Sequence, residues 1–510
     1  MVAQVTGLGR ASGSHVLGIE IQHKFLALVI TQAYFTPVLV FTQYFGHLVS
    51  DIHNYNGLVS PFITLFLLPP TIPFAKIGII FHFSKKTPHY LEMPSIISIF
   101  ASPNPPNDQS PKRPIYMKDF NFYAPTQVVF GKQSEEQLPQ LINKYGGTKV
   151  LVHYGGGSAR RSGLLDKVFG LLKDAEIPYV ELGGVVPNPR LSLVHEGIDL
   201  CRAEKVDFIL AVGGGSVIDS AKAIGYGVPY EGDVWDFWLK KDVPKACLPI
   251  GVMLTIPAAG SEMSNSCVIT NDDGALKMGI NSDLCRCRFC IMNPERTYTL
   301  PPYQTAAGAT DIMMHTMERY FTQHTDMTLT DAIAEAIMRT VKDSVFEVLR
   351  NPEDYRNRAQ IMWAGSLSHN DLTECGTCKD FATHRIEHEL SALFDVTHGA
   401  GLAAIWSSWA RYVMAENVSR FVQFAVNVMG VENDFSDPQR TAEKGIEAIE
   451  RFYHAIGMPV GLKELLGREA TDDEIKEMAR KCCHDRKITQ GNFKVLNQDD
   501  VEAIYRLANF

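Results

Sequence analysis

The chain is predicted to fold as two halves, an α/β half on a parallel sheet followed by an all-helical half, on three observations. Between residues 117 and 300, short β-branched runs alternate with amphipathic helical patterns, the order that a parallel sheet covered by helices requires. Two of those runs lead straight into Gly-Gly-Gly-Ser, at 155–158 and 213–216. After Leu300-Pro301-Pro302 the strand signals fade and a helical period takes over.

In the first half, aromatic and β-branched residues alternate with polar ones over 120–131, which predicts an opening strand or two. A strand then ends at Gly155, a helix covers 164–172, P-Y-V-E-L is a strand, a second helix covers 191–204, and V-D-F-I-L-A-V ends at Gly213. Gly214, Gly215 and Ser216 open a short helix carrying Asp219 and Lys222. Glycines there admit the close approach of a pyrophosphate, and the helix terminus adds favourable partial charge. An ordinary strand-to-helix turn has the same local sequence, so the two loops together carry the reading of a Rossmann-like dinucleotide-binding domain.

The first loop, Gly155, Gly156, Gly157 and Ser158, continues into Arg160 and Arg161. NAD-preferring sites place a carboxylate on the ribose 2′-hydroxyl, which would repel a 2′-phosphate. A serine and two arginines stand here instead, and the expected cofactor is NADP(H). Further on, L-T-I-P-A-A-G-S-E-M-S-N-S offers Thr255, Ser261 and Glu262 as polar groups for the same cleft.

In the helical half, periodic segments fall at 329–349, 353–370, 400–415, 439–456 and 471–481. T-H-R-I-E-H-E-L-S-A-L-F-D-V-T-H-G-A-G places His384, His388 and His398 in one short span, the first two four residues apart and so on one helical face. Asp311 and His315 repeat the spacing in G-A-T-D-I-M-M-H-T-M-E-R-Y. Either pair alone has a structural explanation as a surface pair or a satisfied core histidine. Together, one carboxylate and several imidazoles suit Fe(II), Zn, Mn or Co, and argue against calcium, magnesium or an iron–sulfur cluster.

The combination D-I-M-M-H-T-x-E-R-Y, then H-x-x-x-H, then H-G-A-G resembles the iron-containing (metal-dependent, group III) alcohol dehydrogenases, and within them the NADPH-dependent butanol dehydrogenase branch. The resemblance runs from about residue 119 to the end of the chain. It implies the two-domain fold shared with dehydroquinate synthase, with a metal-binding catalytic domain over 301–510. Asp311, His315, His384 and His398 become the metal ligands, with Fe(II) or Zn as the ion, and His388 a nearby non-ligand that relays a proton, as a group titrating near working pH can. Glu387, Glu389 and Asp395 are candidates to accept the second N–H of a ligating histidine. One departure is C-R-C-R-F-C, where proline and lysine are expected at 287 and 288; Arg288 then takes the lysine's place at the cofactor, with the charge but not the geometry of an ammonium.

The whole chain has 510 residues, a net charge of −9 and no basic block, so neither nucleic acid nor an anionic membrane is an expected partner. Its ten cysteines form no repeated framework, and C-x-C-x-x-C at 285–290 and C-G-T-C at 375–378 lack zinc-ribbon spacing; reduced thiols and a cytoplasmic location are expected. Residues 1–116 stand apart. Stretches 25–50 and 52–75 carry no charged side chain other than histidine, long enough for membrane helices, but Pro37, Pro61, Pro69, Pro70 and Pro73 interrupt them. With the proline-rich segment 102–114, they are expected to form an extension outside catalysis, the working chain starting at Met117; a membrane anchor is the alternative.

The activity that follows is reversible hydride transfer between NADP(H) and a primary alcohol or aldehyde, by a homodimer or larger assembly. Two rivals share the fold. A dehydroquinate-synthase-like lyase would need several basic groups in the cleft for an anionic substrate, whereas the histidine segment offers only Arg385. A non-catalytic oligomeric protein would have no need of a carboxylate buried among imidazoles.

Overall fold

The structure is a computed structural model that describes residues 117–510, except 275 and 325, together with seven short strands before residue 101. The chain forms two compact units, residues 1–112 and 113–510. In the first, Pro61–Phe66, Lys76–Phe83 and Ile96–Phe100 make an antiparallel three-stranded sheet in that order. The stretch 25–50, the rest of 52–75 and the segment 102–114 lie outside the described residues. Among the described residues, no helix is long and apolar enough to cross a membrane.

In the second unit the strands are β1 (Gln127–Phe130), β2 (Val150–Gly155), β3 (Tyr179–Val185), β4 (Phe208–Gly213), β5 (Ile250–Leu254), β6 (Ser266–Asn271), β7 (Leu276–Asn281) and β8 (Phe289–Met292). Six of them form one parallel sheet in the order β3-β2-β4-β5-β8-β1, while β6 and β7 pair as a separate hairpin. Helices α1 (Leu138–Lys144), α2 (Ser158–Arg161), α3 (Leu164–Asp174), α4 (Leu191–Glu204) and α5 (Gly215–Gly227) belong to this half. Central β4 shows why both faces are covered: Phe208, Leu210 and Val212 pack in a core with α1 and α3, while Ile209 and Ala211 pack in another with α4 and α5. An unbroken apolar run is what a strand buried on both faces needs.

The expected strand over 120–131 is shorter than its alternation suggests. It begins only at Gln127, after Pro125, and Phe120, Phe122 and Tyr123 are exposed. Upstream, the Lys118 amide donates to the Gly376 carbonyl at 2.8 Å, so that stretch lies along the helical half and not in the sheet.

Topology locates a crevice. From β2 the chain moves outward to β3, and from β4 it moves the other way, to β5 and β8. Adjacent strands whose connections diverge leave a crevice at their carboxyl ends, where open α/β sheets bind ligands. Both Gly-Gly-Gly-Ser loops lie there.

The second half is helical: α6 (Pro302–Tyr320), α7 (Thr328–Arg350), α8 (Tyr355–Ser368), α9 (Ala382–Phe394), α10 (His398–Val413), α11 (Val418–Asn427), α12 (Pro438–Ala455), α13 (Leu462–Leu466), α14 (Asp472–Cys482) and α15 (Gln498–Ala508). The segments expected from periodicity agree with α7, α8, α10, α12 and α14 to within a few residues. Thr471 caps α14 with Glu474 in a reciprocal capping box, which stops the helix where its sequence says it should. The loop after β5 seats the two halves together. At φ +65°, Gly260 lies so close to α8 that a Cβ would fall 2.5 Å from the Gly365 carbonyl oxygen. Gly260→Ala therefore meets both a strained backbone and a wall that cannot move; it should lower stability by about 1–3 kcal/mol, read as a shifted denaturant midpoint at unchanged slope.

Candidate functional site

Three helices supply the site. On α6, Asp311, His315 and Glu318 lie at i, i+4 and i+7 and share one face. On α9 the same spacing aligns His384 and His388, with Glu387 beside them. His398 opens α10, and the next residue explains how it gets there: a Cβ on Gly399 would lie 2.1 Å from the Ala307 carbonyl oxygen, so only glycine lets α10 start against the backbone of α6.

These elements bring one carboxylate and two imidazoles to a point. Asp311 Oδ1 is 3.8 Å from His384 Nε2 and 3.9 Å from His398 Nε2. Metal–ligand bonds of about 2.0–2.2 Å in a tetrahedral site put ligand atoms roughly 3.4 Å apart, close to this spread. Asp311 Oδ1 and His384 Nε2 are buried; Asp311 Oδ1 has His315 Nδ1 beside it at 2.9 Å but no aligned hydrogen bond, and His384 Nε2 has no hydrogen-bond partner. A carboxylate oxygen and two imidazole nitrogens converging at this spacing form a donor set that a divalent cation satisfies, and the residues present fit one. His315 stands alongside: its Nδ1 lies 3.0 Å from the Asp311 carbonyl and 2.9 Å from Asp311 Oδ1, and its ring centroid is 4.3 Å from that of His384, but its nitrogens fall outside the metal-sized group that Asp311, His384 and His398 form.

The outer nitrogens are held by carboxylates. His384 Nδ1 donates to Glu318 Oε1 at 2.9 Å, and His398 Nδ1 donates to Glu387. Each arrangement fixes a tautomer with Nε2 turned inward, as ligating histidines require. Of the three acidic candidates read from sequence, Glu387 takes this role. Asp395 pairs instead with Arg190 and Asn188, and no bond to a site histidine involves Glu389. Sequence reading passed over Glu318, although its place seven residues after Asp311 marks it as facing the same way. It also passed over His369, whose ring lies 4.1 Å from His315, and Lys277, which reaches in from β7 to 3.7 Å from Glu387.

Electrostatics follow from this packing. Burial opposes charge on Asp311, but the imidazoles of His315, His384 and His398 outweigh it and hold the carboxyl well below its usual range. Burial also opposes charge on His384, yet the carboxylates on both of its nitrogens push it up to about 9. Burial takes His315 down to about 4 and carries His388 well below its ordinary value, with Lys277 adding to the latter. His388 is therefore a neutral imidazole, not a group titrating near working pH, and can pass a proton on without storing one. Glu387, His388 and His398 also converge, but Glu387 already accepts from His398 and faces the Lys277 ammonium, so this triple orients a ligand and is no second cation site.

On the cofactor side, Gly156, Gly157 and Ser158 are exposed and Gly155 is half-buried at the end of β2; Gly214, Gly215 and Ser216 are half-buried at the end of β4. Thr255 follows β5 at the same edge, its amide donating to the Gly213 carbonyl at 3.1 Å. Asp219 and Ser261 lie deeper and are bonded to each other, and Asp219 also accepts from the Val268 amide at 2.9 Å, so they brace the loop. The buried Lys222 ammonium does the same, donating to the carbonyls of Ser261, Ser264 and Ser266 at 2.7–3.1 Å. Arg288 does not fit its expected role. It precedes β8 and so stands exposed at the amino end of a parallel strand, the edge of the sheet opposite the glycine loops. Arg385 is exposed and donates to Gln490 at 2.8 Å, away from the ligands. All ten cysteines are free, and among the described residues none joins a metal-sized cluster.

Residues 125–294 match the family model "Iron-containing alcohol dehydrogenase", and 305–509 match "Fe-containing alcohol dehydrogenase family, C-terminal". The chain belongs to the iron-containing alcohol dehydrogenase family. Within that family it is 40% identical over 390 residues to a probable NADH-dependent butanol dehydrogenase of Bacillus subtilis, covering 76% of this chain and 99% of the relative. It is 34% identical over 357 residues to the NADPH-dependent aldehyde reductase YqhD of Escherichia coli, covering 68% and 89%. Among solved structures, NADH-dependent butanol dehydrogenase A of Thermotoga maritima superposes with a TM-score of 0.74 at 37% identity, covering 78% of this chain and all of that one.

If Glu318 fixes the His384 tautomer, Glu318→Gln should weaken Zn(II) or Co(II) binding about 10–100-fold in a chelator competition, with the far-ultraviolet circular dichroism unchanged.

Proposed function

We propose that this protein is an NADP(H)-dependent alcohol dehydrogenase working as an aldehyde reductase on short primary aldehydes, with a divalent metal, Fe(II) or Zn, held by Asp311, His315, His384 and His398. The observation that carries the reading is the convergence of Asp311 Oδ1 with His384 Nε2 and His398 Nε2, at 3.8 and 3.9 Å. When bound, the metal supplies Lewis acidity to a carbonyl oxygen and the nicotinamide supplies the hydride.

The chain's own residues do the rest. Glu318 and Glu387 hold the two imidazoles in the tautomer that presents Nε2. The glycine loops and the amino end of α5, at the switch between β2 and β4, bind the pyrophosphate. His388, its ring 5.8 Å from that of His398, passes a proton to the product oxygen. The preference for NADP(H) is supported by a first loop that offers Ser158, Arg160 and Arg161 and no carboxylate. The lyase reading lacks the basic cluster it needs, since Arg385 is turned to Gln490.

Oxidation of NADPH by butanal tests this directly. The metal-loaded protein should turn over, with kcat/KM for NADPH above that for NADH, and His384→Ala should lose at least 100-fold in kcat/KM together with its metal. Metal-loaded, folded protein that reduces no short aldehyde with either nucleotide would remove the proposal.

A further inference from the structure

Asp371, in the loop between α8 and α9, adopts φ +70°, a left-handed conformation in which glycine is the default and aspartate is tolerated at a cost. Its carboxylate lies between two buried arginines from the two halves of the unit. Arg286, from the segment before β8, donates to Asp371, to Asp283 at 2.7 Å and to the Met263 carbonyl at 2.8 Å. Arg319, on α6, has Nη2 3.7 Å from Asp371 and Nε 3.5 Å from Glu374, and donates to the His315 carbonyl at 2.9 Å. Its guanidinium also lies 4.9 Å from the centre of the Phe381 ring, which in turn packs 5.0 Å from His384.

We infer that Asp371 is a positioning residue that couples the cofactor cleft to the metal site. The inference rests on the function proposed above. One arm of the bridge ends on Met263, inside the loop that lines the nucleotide cleft. The other ends on the backbone of His315, next to the ligand face of α6. A carboxylate placed between two guanidiniums, each bonded to a backbone carbonyl of its own half, links displacements of the two, through a hydrogen bond on the Arg286 side and a 3.7 Å charge contact on the Arg319 side. Both arginines keep other partners when the carboxylate is removed, Asp283 and Met263 for Arg286, and Glu374 and His315 for Arg319. The bridge is therefore separable from folding.

The test measures linkage. NADPH is titrated by fluorescence into the full chain with and without Zn(II), and Zn(II) affinity is measured by chelator competition with and without saturating NADPH. In the wild type each ligand should change the other's affinity by the same factor, about 5–150-fold. In Asp371→Asn that factor should fall to near one while both ligands still bind. Asp371→Gly, which relieves the backbone, should do the same and melt no lower than Asp371→Asn, so a folding defect in one variant does not remove the test. Binding without coupling in the wild type, or coupling unchanged in both variants, overturns the inference alone. Failure of the wild type to bind either NADPH or NADH overturns the cofactor reading and the inference with it.

Discussion

The rest of this structure depends on a carboxylate that water does not reach. Asp311 is ionised inside a helical core, and an uncompensated buried ion costs several kcal/mol against a folding margin of about 5–15 kcal/mol. The chain meets that cost with imidazoles, and the imidazoles with carboxylates. Asp311 faces His315, His384 and His398, and the outer nitrogens of the last two rest on Glu318 and Glu387. Each layer thus meets the polar groups of the one before, and the Lys277 ammonium closes the sequence 3.7 Å from Glu387.

Backbone geometry makes this arrangement possible. Gly399 lets α10 meet α6 at its carbonyl, which sets His398 opposite Asp311. Phe381, just before α9, sits at φ +58°, in a region bulky residues avoid, with its ring against His384 and beside the Arg319 guanidinium. Strain there is sustained because packing on both sides of the ring determines its place. The shell of groups around Asp311 is thus built into helix starts and crossings as much as into side chains.

Much of this was legible in the sequence. Helix periods gave α4 and α7 almost to the residue, and two glycine loops after apolar runs gave the parallel sheet, because both patterns are local. The i, i+4 pairs Asp311/His315 and His384/His388 were legible because that spacing is also local, whereas His398 entered as a ligand through the family resemblance and only the fold brings it to Asp311. What escaped needed tertiary information. Glu318 lies within the same helical motif, but its partner is on α9, 66 residues away. Lys277 arrives on a hairpin whose strands are short and partly exposed, so no periodic signal announced it. Arg288 was misplaced for the same reason: nothing local says which end of a strand faces the cleft, and only the parallel pairing of β8 with β5 and β1 does. The strand expected from Phe120 failed because alternation reports a half-buried surface, and Phe120 and Phe122 have none to share.

Cofactor choice shows how the two levels combine. Curated relatives with the same fold carry names with NADH and with NADPH, so the fold does not select the nucleotide. The first loop brings no carboxylate, but the structure adds one: Glu181 on β3 pairs with Arg160 at 3.1 Å, and the Tyr154 hydroxyl joins them. A lone glutamate at this edge would favour a ribose hydroxyl and repel a phosphate. Paired, its charge is already balanced, and an ion pair this exposed holds weakly. A 2′-phosphate carries more charge than a carboxylate and presents three acceptor oxygens, so it competes well for the same guanidinium, whereas a ribose hydroxyl would leave the pair intact. Were the nucleotide's 2′ end to reach this edge, Arg160 would be shared between Glu181 and a 2′-phosphate, a competition that a ribose hydroxyl does not enter.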